Sequence, residues 1–254
     1  MTSNKPTLPV KQIRKPRRGP RIIRITLIVL LAIVLLVSGL VYSQWEAIHS
    51  LVFGSDFVGG NADVTSIHLP PGFHATVFYK GLSSPRLIAF GPNGTLFVAE
   101  RGAGSIIALL DPNGTGTAKE KKVVISGLND PTSLFFYQGN LYVGEQNQIS
   151  RFMLSSDLHV TDKKVIVPDL PSGGQHNTRT VLIGPDGNLY VSIGSTCNVC
   201  NESDPHRAAI WVYSLGGSGG RLYVRGLRNA VGMAINPWNK QIWVTNNGRD
   251  MLGD

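Results

Sequence analysis

Acidic residues are missing from the first 24 positions of this chain. That stretch holds eight of its 24 lysines and arginines, namely Lys5, Lys11, Arg14, Lys15, Arg17, Arg18, Arg21 and Arg24. Excess charge is in turn missing from the remainder, where the other 16 basic residues face all 16 acidic ones. The net charge of +8 therefore belongs to the tail. A nucleic-acid-binding groove needs its surplus cations on the folded domain, so the composition argues against nucleic acid as a partner. Cysteine is scarce too: Cys197 and Cys200 are the only two. Two thiols cannot complete the four-ligand shell of a structural zinc. Attachment of haem c needs a histidine after the second cysteine, and Asn201 stands there. Long amphipathic helical periods are absent beyond residue 64, which excludes a helical bundle.

What is present begins with an apolar run from Ile25 to Tyr42, diluted by Thr26, Ser38 and Gly39. At ~1.5 Å per residue it reaches about 27 Å, close to the hydrocarbon thickness of a bilayer. It is longer than a signal-peptide core, and Val41-Tyr42-Ser43 makes a poor cleavage site. The run predicts a single uncleaved transmembrane helix over 25–42. Cations are retained on the cytoplasmic side, so residues 1–24 form a basic cytoplasmic tail. The domain that follows is held outside the cytoplasm at the cell membrane. Four prolines, Pro6, Pro9, Pro16 and Pro20, argue against a helix in the tail. Residues 43–63 read as a juxtamembrane linker. With the domain in an oxidising compartment, Cys197 and Cys200 are expected to form a local disulfide.

From 64 to 254 short apolar runs alternate with turn signals, an all-β pattern. Four segments share one design: Gly91-Pro92-Asn93-Gly94 before Leu96-Phe97-Val98, Gln138-Gly139-Asn140 before Leu141-Tyr142-Val143, Gly184-Pro185-Asp186-Gly187 before Leu189-Tyr190-Val191, and Asn236-Pro237-Trp238-Asn239 before Ile242-Trp243-Val244. From Leu96 to Leu141, Leu189 and Ile242 the spacings are 45, 48 and 53 residues. Self-similarity at this period marks a β-propeller of about four strands per blade, with about four blades present. A second marker, Gly81-Leu82, Gly127-Leu128 and Gly226-Leu227, precedes three of the turns. His176 lies eight residues before Gly184, and Arg228 lies eight before its counterpart Asn236. Equivalent loops of adjacent blades converge on one face of a propeller, so this histidine and arginine should approach each other.

Three ordered segments resemble the glucose/sorbosone dehydrogenases, quinoprotein sugar dehydrogenases built as six-bladed propellers. They are Gln175-His176-Asn177-Thr178-Arg179 running on to Ser195, Gly226-Leu227-Arg228-Asn229-Ala230-Val231-Gly232, and Asn246-Asn247-Gly248-Arg249-Asp250. Cys197-Asn198-Val199-Cys200 and Asp204-Pro205-His206-Arg207 are most similar to the sorbosone or pyranose dehydrogenase branch. The resemblance implies a membrane-anchored enzyme that oxidises an aldose or related sugar, with pyrroloquinoline quinone (PQQ) and calcium as cofactors. It implies His176 as general base, Arg228 as the donor that steadies negative charge on the quinone, Gln175 and Asn229 as cofactor contacts, and the backbone carbonyls of Gly248 and Arg249 as calcium ligands.

The pattern departs from the family at two points. Gln175 stands where glucose-oxidising members have an acid, and the cofactor-binding glutamine of an early blade is not evident around Asn129-Asp130-Pro131. Asp254 also falls inside a motif that normally runs on, so the expected reading is an incomplete propeller. Two other functions remain open at this point: a non-catalytic extracytoplasmic propeller that binds a ligand or partner, and a calcium-dependent lactonase-like hydrolase; Asn246, Asn247 and Asp250 could serve a calcium site in either enzyme.

Overall fold

The computed structural model describes residues 67–251, together with Val64 and seven positions between 27 and 38. Those seven positions are helical, and the Ser38 hydroxyl donates to the Val34 carbonyl at 2.7 Å, one helical turn back. The rest of the apolar run 25–42, the basic tail 1–24 and the linker 43–63 lie outside the described residues. Among the described residues no helix is long and apolar enough to cross a membrane. The chain divides into two units, Met1–Asp56 and Phe57–Asp254.

Among the described residues the second unit is β-rich. Fourteen strands run β1 (Pro85–Phe90), β2 (Leu96–Glu100), β3 (Ser105–Leu110), β4 (Glu120–Ile125), β5 (Ser133–Tyr137), β6 (Asn140–Glu145), β7 (Gln148–Leu154), β8 (Val160–Val167), β9 (Arg179–Ile183), β10 (Leu189–Ile193), β11 (Ala209–Tyr213), β12 (Arg221–Arg225), β13 (Ala230–Ile235) and β14 (Ile242–Asn246). They form three four-stranded antiparallel meanders, β1–β4, β5–β8 and β9–β12, followed by the hairpin β13–β14. The first strands of successive sheets, β1, β5, β9 and β13, touch one another, which is the inner ring of a propeller-like array. The fourth repeat expected from the sequence is thus represented by two strands, and three blades are complete.

Each repeated turn is the first hairpin of a blade. Asn93 and Gly94 take φ of 65° and 74°, Gln138 and Gly139 take 47° and 75°, and Gly187 takes 74°. Gly and Asn tolerate these left-handed conformations; Gln138 adopts one beside Gly139. The apolar–aromatic–Val run is the second strand of each blade. It is buried on both faces in β2, β6 and β10: β6 and β10 lie between neighbouring blades, and the outer face of β2 is covered by Phe78, Tyr79 and Leu82 from the segment before β1. That is why it reads as a continuous hydrophobic run and not as an alternation. The second marker also has one structural meaning: Gly81, Gly127 and Gly226 take φ of 79°, 72° and 86° where the chain turns in toward the inner strand of the next blade.

The cores lie between blades. Phe97, Ile106, Leu134, Leu141 and Phe152 fill the first gap, Ile149, Val181, Leu189 and Ile193 the second, and Tyr190, Ile210, Val212 and Ala230 the third. Hydroxyls on the inner strands tie neighbours together. Thr132 Oγ1 and Ser133 Oγ both donate to the Arg179 carbonyl, at 2.9 and 2.7 Å, and Thr180 Oγ1 donates to the Val231 carbonyl at 2.6 Å.

Candidate active site

The loops that enter the inner strands set the site. In two blades a buried glutamate at the end of the second strand receives the entering backbone: Glu100 accepts from Ser83 N–H and Glu145 from Asn129 N–H, each at 2.9 Å. In the partial blade Asn246 does the same, its Oδ1 accepting from Asn229 N–H at 3.0 Å. The third blade carries Ile193 at this position, and there the entering loop pairs with backbone instead. Gln175 N–H donates to Thr196 O at 2.8 Å and His176 N–H to Ser195 O at 3.2 Å. Gly194 makes this possible, since a Cβ there would lie 2.5 Å from His176 Cβ and 2.7 Å from its carbonyl oxygen. Ser195 N–H in turn donates to the Arg228 carbonyl at 2.8 Å. The loops carrying His176 and Arg228 thus both attach to Ser195.

The imidazole of His176 is half-buried. Its Nδ1 lies 2.8 Å from Ser195 Oγ and 3.1 Å from the Ser195 carbonyl. The Ser195 hydroxyl has one proton, and it goes to the Cys197 carbonyl at 2.7 Å. Both neighbours of Nδ1 therefore act as acceptors, which places the ring proton on Nδ1 and leaves a lone pair on Nε2. Nε2 makes no hydrogen bond among the described residues. Burial, and then the Arg228 guanidinium, push the imidazole below its ordinary value, against smaller opposing effects of the Ser195 carbonyl, Asp250 and Glu202. The ring is neutral at neutral pH, as a general base must be.

Arg228 is held on several sides. Its Nε–H donates to the Asn198 carbonyl at 2.9 Å, one Nη to Asn198 Oδ1 and Asp250 Oδ2 at 2.8 Å each, and the other to the Asn247 carbonyl at 3.2 Å. A guanidinium has five N–H groups, so one remains for a ligand. Asp250 is 70% exposed on its side chain, and a pair that open to water is screened. Asn229 is buried; its Oδ1 accepts from Thr178 Oγ1 at 3.3 Å, and its Nδ2 donates to nothing among the described residues.

The remaining expected residues are more open. Gln175 is exposed and anchored through its backbone only. Gly248 and Arg249 lie on the exposed segment after β14, and their carbonyls accept no hydrogen bond among the described residues. Asn246 Oδ1 accepts from Asn229 N–H, and the Asn247 backbone carbonyl and Asp250 Oδ2 accept from Arg228. Among the described residues the one cluster of three metal-binding side chains is Cys197, Cys200 and Glu202. Its two sulfurs are joined in the expected disulfide. Sequence reasoning did not single out Ser195, Asn198 or Gly194. Ser195 and Gly194 stood within a quoted motif, but nothing in the one-dimensional pattern gives a serine the task of fixing a tautomer.

A family model described as TrAA12-like matches residues 67–253. A pyrroloquinoline quinone-dependent sugar dehydrogenase of Hypocrea jecorina is 26% identical over 204 residues, 71% of this chain and 47% of that protein. The holo pyranose dehydrogenase PQQ domain of Coprinopsis cinerea superposes with a TM-score of 0.60 at 24% identity, covering 68% of this chain and 46% of that one. At that identity the likeness is one of fold. A calcium structure of the Trichoderma reesei carbohydrate-active enzyme of family AA12 gives a TM-score of 0.56 at 27% identity, covering 67% and 47%. The chain spans about half the length of these relatives.

Proposed function

This chain belongs to the TrAA12-like family, and from that premise we propose that the protein oxidises a hydroxyl of an aldose or related sugar with PQQ as electron acceptor. The supporting observation is the Ser195 contact, which puts the imidazole proton of His176 on Nδ1 and leaves Nε2 able to take a proton. Nε2 removes the proton of the substrate hydroxyl. Arg228 and Asn229 would hold the quinone through donors that the protein does not use itself: the remaining guanidinium N–H and Asn229 Nδ2. Gln175, exposed beside His176, is a further contact. PQQ supplies the two-electron acceptor when bound. The Gly248 and Arg249 carbonyls are oxygen donors suited to a hard cation, and they would contribute to a calcium site.

The same reading places the enzyme outside the cytoplasm on a single N-terminal anchor, residues 25–42, with the basic tail inside. The support is the length of the apolar run and the one-sided charge before it.

The test uses full-length protein supplied with PQQ and calcium and an artificial electron acceptor. Addition of an aldose should reduce the acceptor. His176→Ala should lower kcat by ~10²–10⁴, and Arg228→Ala should cost about 10²–10³, like the loss of one preorganised donor. A His176→Ala protein that turns over sugar at the wild-type rate would refute the assignment of the base. A wild-type protein that takes up no quinone would put a ligand-binding propeller in its place.

A further inference from the structure

Both side chains of the proposed site lean on one short loop, of which the proposed chemistry uses only the Cys197 carbonyl. The loop is closed by the Cys197–Cys200 disulfide. At its first end, Ser195 Oγ bridges His176 Nδ1 at 2.8 Å and the Cys197 carbonyl at 2.7 Å. Inside the ring, Asn198 receives Arg228 twice, through its backbone carbonyl and its Oδ1, at 2.9 and 2.8 Å. The same Oδ1 accepts from Asp250 N–H at 2.9 Å. Immediately before the first cysteine, Thr196 N–H donates to Glu202 at 2.7 Å, which folds the two flanks of the ring together.

We propose that Asn198 is a positioning residue for Arg228, and that the closed Cys197–Cys200 ring is what gives Asn198, and through Ser195 the His176 ring, a fixed place. An arginine side chain carries about 2 kcal/mol of rotamer entropy. Two acceptors on one rigid residue confine it far better than a mobile loop could. They also choose which N–H stays free: with Nε and one Nη committed to Asn198 and Asp250, the remaining donor is on the Nη that meets the Asn247 carbonyl. The disulfide is the only covalent closure of this loop. Its reduction adds two electrons and two protons to the sulfurs, and the loop carrying Asn198 then loses its ring. The consequence for catalysis rests on the reading of Arg228 as a cofactor donor; the positioning itself does not.

The experiment is NMR on the full chain with labelled arginine and histidine, oxidised and after dithiothreitol, which closes to its own cyclic disulfide as it reduces the protein. In the oxidised wild type, the Arg228 Nε–H should exchange with water about tenfold or more slowly than that of the exposed Arg225, and His176 should show the Nδ1–H tautomer. Reduction should remove most of the Arg228 protection and mix the His176 tautomers. Asn198→Ala should reduce the protection by several fold to about tenfold. Asn198→Asp, which keeps an acceptor in place, should retain it. In a parallel titration followed by tryptophan fluorescence, Asn198→Ala should weaken PQQ binding by about tenfold. A loop that merely stabilises the fold would lower Tm and leave the Arg228 exchange and the His176 spectrum unchanged; that result overturns the proposal. A wild type that binds no PQQ sinks the proposed function instead, while the exchange data still decide the role of Asn198.

Discussion

His176 illustrates how a loop residue is given a neutral imidazole with one ring nitrogen left open. Burial and the Arg228 guanidinium hold its imidazole below the ordinary value of 6.5, and the sign of the consequence is fixed. The unfolded chain takes up this proton more readily than the folded one, so above pH 6.5 the group costs no stability. As the pH falls below 6.5 stability is lost, until the lower folded pKa is passed. The proposed reaction follows the same group, because the neutral ring is the base. The acid limb of kcat/KM should therefore lie below pH 6.5 in the full-length enzyme, and Arg228→Ala, which removes a neighbouring cation, should move it upward. A pH–rate profile checks both. An acid limb that stays put in the Arg228→Ala protein would mean that the guanidinium does not act on this ring.

At the scale of the element, the recurring unit is a hairpin whose second strand ends in an acceptor for the incoming loop. Glu145 is buried and receives Asn129 N–H, Ser150 Oγ at 2.6 Å and Gln148 Nε2 at 2.8 Å. Truncation leaves the buried Ser150 hydroxyl without its acceptor, at about 1–3 kcal/mol. Urea unfolding should thus find Glu145→Ala destabilised by at least ~1 kcal/mol, and a change within ~0.5 kcal/mol would show that the loop finds other partners. Ile193 is the exception among these positions, and it belongs to the blade that presents His176. Where the acceptor is missing, Gly194 and Ser195 come close to the entering loop and bring a hydroxyl to the imidazole. The loop that carries His176 is built by leaving out a structural device that the other blades share.

For the molecule as a whole, each blade is stabilised by its neighbours, so the two ends of the array differ from its middle. β9 is buried along its whole length, whereas Ile88 and Phe90 of β1 are 59% and 70% exposed and Trp243 of β14 is 62% exposed. Apolar patches of this kind on a sheet face are docking surfaces or aggregation liabilities. The proposed anchor carries its own prediction at this scale. Full-length protein should stay with the membrane fraction through an alkaline carbonate wash and leave it with detergent, and removal of residues 1–42 should release it without detergent. Release of the intact protein by carbonate alone would refute an integral span.

The sequence by itself determined the elements that rest on local chemistry. Gly at three of the hairpins and Asn93 at the first supply positive φ, and apolar–aromatic–Val runs mark strands buried on both faces, so the second strands and their period were legible residue by residue. Matched positions in that period also led from His176 to Arg228. The cysteines, with two residues between them, could reach each other by chain length alone. Only the tertiary structure decided which oxygen meets which donor. Asp250 reaches Asn198 from 52 positions away, and Arg228 commits four of its five N–H groups to residues that the repeat does not align with it. Such contacts depend on how loops from separate blades meet at one end of the array. That meeting is set by the packing between blades, which no stretch of sequence contains by itself.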